Sequence, residues 1–115
     1  MDSKELATII SEYAKELKAF KIKVYDLSNI ASYSNYAVIV STTSNRQSKA
    51  IADKVSVQLK QDYSINLLGI EGISTCDWIL LDYNDVILHI FIEEKRMYYD
   101  LDRLWKDQPV TDIIE

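Results

Sequence analysis

Apolar residues recur at spacings of three and four between residues 3 and 19, at Leu6, Ile9, Ile10, Tyr13 and Leu17. That 3.6-residue period predicts an amphipathic helix with one buried stripe, capped by Asp2 with Glu5 or by Ser3. IKVYDL, residues 22–27, has the pattern of a short strand, and the polar SNIASYSN that follows reads as a loop. YAVIVS, residues 36–41, is an unbroken apolar run rich in β-branched residues, which predicts a strand buried on both faces. In the next segment Ser44 and Gln47 have capping-box spacing, and Ser48, Ile51, Ala52, Val55 and Leu59 form the inward stripe of a helix reaching about residue 61. A third strand is expected within INLLGIEG, 65–72. A last helix from about Glu93 to Asp107 would place Met97, Tyr98, Leu101, Leu104 and Trp105 on one side, with Pro109 beyond its end.

Between these lies WILLDYNDVILHIF, residues 78–91. With Asn84 and Asp85 as turn residues it becomes a hairpin that pairs Tyr83 with Val86, Leu81 with Leu88 and Ile79 with Ile90. Those six and Ile92 form an apolar core face, because side chains alternate along a strand. The other face carries Trp78, Leu80, Asp82, Ile87, His89 and Phe91, aromatic at one end and acidic at the other, a mixture that suits a protein interface. The order helix, strand, strand, helix, strand, hairpin, helix predicts a single α/β domain over residues 1–115, with a mixed sheet of about five strands flanked by helices.

The same stretch admits a catalytic reading, with Asp82 and Asp85 as paired carboxylates and His89 as base. The two aspartates are three apart across a turn, however, and no D-x-D or D-x-E pair occurs in an expected strand, so turn and rim carboxylates are favoured. His89 has no serine or cysteine elbow beside it and no second histidine for a metal; a hydrogen-bonded sheet histidine is favoured, with a binding-surface role next. Cys76, the single cysteine, has neither a disulfide partner nor an adjacent base. TTSNR opens a helix but lacks the glycines and the G-K-[ST] signature of a phosphate loop. Asn45 and Arg46 remain candidate contacts at that turn. No cofactor or metal site is expected.

Composition narrows the partners. The net charge of −5 makes direct nucleic-acid binding, which depends on Lys and Arg, a poor expectation, and favours a basic partner. The amphipathic start lacks a secretion or transit signature, and no apolar run approaches the roughly 20 residues that span a bilayer. A soluble, cytoplasmic chain is expected.

TSNRQSKAIAD, the IEG before the hairpin, WILLDYNDVILHIF and EEKRMYYDLDRLW, taken in that order, resemble the ribosomal silencing factor (RsfS), or Iojap, family over about Ile22 to Trp105. Asn84 stands at the hairpin turn where that family usually has glycine. The resemblance implies a nucleotidyltransferase-like fold without catalytic residues. It also implies a translation repressor that binds the large ribosomal subunit at a basic ribosomal protein, the fourteenth of the large-subunit series, with little direct RNA contact, and sterically blocks joining of the small subunit. By that implication the contact candidates are Trp78, Asp82, Tyr83, Asp85 and His89 on the sheet face and its rim, with Glu94, Arg96, Tyr99 and Asp100 from the last helix and its approach. The alternatives are a large-subunit assembly factor and a cryptic nucleotidyltransferase. The sequence leaves homodimer formation open; members of that family occur as pairs, and one aromatic face could serve self-association and ribosome docking in competition.

Overall fold

The computed structural model describes residues 1–30 and 34–114, so the loop expected at 28–35 falls partly outside the described residues. Helix α1 (Ser3–Glu16) starts where the Asp2 carboxylate accepts the Glu5 amide at 2.8 Å. It ends before residue 19 because Lys18 turns into the left-handed region, at φ 70°. Helix α2 (Asn45–Tyr63) has the expected box: Ser44 accepts the Gln47 amide at 3.1 Å, while the Gln47 side chain reaches one residue past the cap to the Thr43 amide at 2.8 Å.

Strands β1 (Phe20–Asp26), β2 (Tyr36–Thr42), β3 (Gly69–Glu71), β4 (Trp78–Asp82), β5 (Val86–Ile92) and β6 (Val110–Ile113) form one sheet in the order β3-β4-β5-β2-β1-β6. Only β2 and β5 run parallel, which makes the sheet mixed. The sixth strand, β6, gave little signal in the sequence: VTDI is short and largely exposed, and it is held by its ladder to β1 and an ion pair between Lys23 and Asp112 at 3.0 Å. The hairpin register is the one that the alternation predicts, with Trp78 opposite Phe91, Leu80 opposite His89 and Asp82 opposite Ile87.

Two cores follow from this sheet. One face packs Ile79, Leu81, Leu88 and Ile90 against Leu6, Ile10 and Ala14 of α1 and Ile51, Val55 and Leu59 of α2. The other face, which the sequence suggested as an open interface, carries a second, smaller core of Tyr25, Leu27, Ala37, Ile39, Phe91 and Trp105. Strand β2 divides its alternate side chains between the two, which explains its unbroken apolar run.

The last helix is two helices, α3 (Glu93–Tyr99) and α4 (Leu101–Leu104), broken at Asp100, which sits in the left-handed region at φ 50°. Asp tolerates that geometry better than most residues. The break turns the apolar stripe. Trp105 is buried and Leu101 half-buried, but Met97 (71%) and Tyr98 (78%) are exposed, as is Leu104, contrary to the single-stripe expectation.

Candidate docking face

The second sheet face ends in an aromatic stack. Trp78 lies against Phe91, ring centres 4.8 Å apart, and against Tyr99 of α3 at 4.9 Å. The Trp78 indole N–H donates to His89 Nδ1 at 3.2 Å. His89 in turn lies 6.0 Å from Trp105, which packs on Tyr25 at 5.8 Å. Phe91 and Trp105, which link Trp78 to the inner part of this core, were not among the expected contacts.

Beside the stack, Arg96 anchors the α3–α4 corner. Its guanidinium makes a bidentate pair with Asp102, at 2.9 and 3.0 Å, and donates to the Lys21 carbonyl at 2.6 Å and Ser41 Oγ at 2.8 Å. Lys21 sits at a register shift in β1, with φ 49°, so Arg96 takes up a carbonyl at a break in the ladder. Tyr25 also donates to Asp102, at 2.6 Å. Burial works to raise the Asp102 carboxyl, but hydrogen bonds from Arg96 and Tyr25 hold it below its ordinary value. Glu93 shows the same balance: burial opposes the charge, and bonds from Lys21 and Ser41 hold the carboxyl low. The six-residue separation of Arg96 and Asp102 fits no contact on a continuous helix, so only the break at Asp100 could have revealed the pair.

The nine expected contacts separate by burial. Trp78 and Asp82 are half-buried; Asp85, Glu94, Tyr99 and Asp100 are exposed, Tyr99 at 50%. Tyr83, His89 and Arg96 are buried, at 6%, 6% and 5%, which corrects their place among the surface contacts but agrees with the core-face position expected of Tyr83 and the hydrogen-bonded sheet histidine favoured at 89. Tyr83 belongs to the first core, where burial pushes its phenol up to about 12 and the hydroxyl has no hydrogen-bond partner among the described residues. His89 is covered by the α3–α4 corner, and Arg96 is held by its carboxylate.

Asp82 Oδ1 accepts the Asn84 amide at 2.7 Å and so shapes the hairpin turn, while His89 Nδ1 is occupied by Trp78. Among the described residues no group of three or more His, Cys, Asp or Glu side chains could hold a metal ion. An apolar cavity of about 160 Å³ beside His89 is lined by Leu27, Leu80, Ile87 and Trp105 among others, and among the described residues its lining has no lysine or arginine to engage phosphate. Cys76 is a buried thiol whose Sγ lies 3.1 Å from the Ile73 carbonyl. Among the described residues no helix is long and apolar enough to cross a membrane.

The family model described as ribosomal silencing factor during starvation matches residues 1–115. A protein of Chromobacterium violaceum named ribosomal silencing factor RsfS is 32% identical over 108 residues, covering 94% of this chain and 88% of its own length. The maize chloroplast protein Iojap is 28% identical over 99 residues, which span 86% of this chain and 42% of the maize protein. A crystal structure of a Chromobacterium violaceum protein superposes with a TM-score of 0.87 at 30% identity, over 100% of this chain and 95% of that one. With its family model, its relatives and its fold in agreement, the chain belongs to the ribosomal silencing factor family.

Proposed function

We propose that this protein represses translation by occupying the large ribosomal subunit at a basic ribosomal protein, the fourteenth of its series, so that the small subunit cannot join. It makes and breaks no bonds and needs no cofactor. Trp78 and Tyr99 supply apolar contact area at one end of the hairpin, and Asp82, Asp85, Glu94 and Asp100 supply carboxylates that meet Lys or Arg. His89 and Arg96 support that surface from beneath, while Tyr83 packs in the core on the opposite face of the sheet. The observation that carries the proposal is the aromatic pair: Trp78 and Tyr99, 4.9 Å apart, reach the surface of a net acidic domain. Tyrosine and tryptophan so placed are common interface anchors.

Co-sedimentation decides it. The purified chain should travel with isolated large subunits, and adding it before small subunits should reduce the joined-ribosome peak in a sucrose gradient. Trp78→Ala should weaken large-subunit binding by about tenfold or more, the scale of an anchor residue. Association with small subunits, or with intact ribosomes alone, would overturn the proposal. Accumulation of immature large subunits on depletion, with joining of mature subunits unaffected, would favour an assembly role instead.

A further inference from the structure

His89 is buried between aromatic rings, yet it carries a hydrogen bond that an apolar side chain could not make. Trp78 Nε1 lies 3.2 Å from His89 Nδ1. An indole N–H can only donate, so Nδ1 is an acceptor and the imidazole proton resides on Nε2. Burial favours the same neutral form, holding His89 down to about 4 against the opposing pull of Asp102. The imidazole is itself fixed, with Trp105 at 6.0 Å and Phe91 at 6.3 Å.

Trp78 is therefore restrained by two neighbouring rings and at its indole nitrogen. Phe91 and Tyr99 hold the ring, and His89 fixes which way the indole nitrogen points. A tryptophan free to change rotamer would lose that freedom on docking, and the loss would come out of affinity. Pre-ordering the ring in the free protein removes it.

We infer that His89 is a positioning residue for docking: its Nδ1 fixes the Trp78 indole in the orientation that meets the partner, while His89 itself touches no partner atom. This rests on the docking role proposed above. It is separable from simple packing, because a leucine at 89 would fill a buried site at least as well and would lack the acceptor.

The test uses two substitutions of nearly the same shape. Asparagine and leucine both branch at Cγ, but only asparagine offers an oxygen near the place of Nδ1. Affinity of the full chain for isolated large subunits is measured beside urea stability for the parent, His89→Leu, His89→Asn and Trp78→Ala. His89→Leu should bind about tenfold more weakly while remaining folded, and His89→Asn should restore binding to within about twofold although it is the less stable of the two. A structural role predicts the reverse order, with binding following stability.

Parent-like binding by His89→Leu, or equal losses in Leu and Asn, overturns the positioning role while a loss in Trp78→Ala leaves docking through this face standing. Parent-like binding by Trp78→Ala overturns both. Should the buried asparagine prevent folding, a cycle with Trp78→Phe decides. That change removes the donor, so His89→Leu should then add no further loss, and additive losses overturn the inference.

Discussion

His89 is the only histidine in the chain, and its burial makes it a titration marker for folding. In the unfolded chain the imidazole takes up a proton near its ordinary 6.5; in the fold it does not until about 4. Between those values the unfolded state binds more protons, so the fold loses stability as pH falls through the window, by up to about 3 kcal/mol. Asp102 and Glu93 have carboxyls held below their ordinary values, so their share is lost in the ordinary carboxylate range and below it, at the acid end of this window and past it. Urea unfolding of the parent should weaken from pH 6.5 towards 4, and His89→Leu should flatten that slope; parallel slopes would refute it. At this scale the sequence was informative about register and silent about cover. The alternation assigned Trp78, Leu80 and His89 to one face and Leu81 and Leu88 to the other, as found. What the alternation could not show was that Leu101 and Trp105 fold back over His89, because that contact depends on a turn many residues later. Tyr83 was expected both in the apolar face and among the contacts, and its burial in the first core leaves only the first place.

That turn is the matter at the level of elements. Met97, Tyr98, Leu101, Leu104 and Trp105 share a side on an unbroken helix; with Asp100 in the left-handed region they do not, and the second set of contacts swings onto the sheet. The local pattern carries only a weak hint of the break, the aspartates at 100 and 102, a residue type that favours caps and turns over helix interiors. The Arg96–Asp102 pair secures it. Asp102→Ala should leave a buried guanidinium without its carboxylate and cost about 2 kcal/mol, less than a wholly sealed pair because a quarter of the Asp102 side chain meets solvent. Amide exchange should rise across residues 93–105 in that variant, and Asp102→Asn, which keeps an acceptor, should suffer less. Unchanged exchange there would show that packing of Trp105 and Leu101 alone holds the corner. Strand β6 was missed for a related reason: its pairing with β1, not its own sequence, makes it a strand.

For the molecule as a whole, the sequence contained the class of fold but not the order of the sheet. Strands β2 and β5 are apolar on both faces along most of their length, so no face pattern dictates that Tyr36 sits beside Val86 in a parallel pair. Net charge was legible from the start, and it gives the proposed docking a direction. Asp85 and Glu94 are exposed, so Asp85→Lys and Glu94→Lys each exchange a negative for a positive charge without entering either core. Against a basic ribosomal protein these changes should slow association and lower affinity, on the order of threefold each, with the effect shrinking as salt is raised. Against ribosomal RNA the same substitutions add attraction to phosphate, and affinity should rise. Association kinetics with isolated large subunits at low and moderate salt therefore separate the two surfaces by sign. A gain in affinity would replace the basic protein with RNA as the contact. If Trp78 and Tyr99 also serve pairing of the chain with itself, light scattering should show dimers that give way as large subunits are added, because one aromatic pair cannot occupy two partners at once.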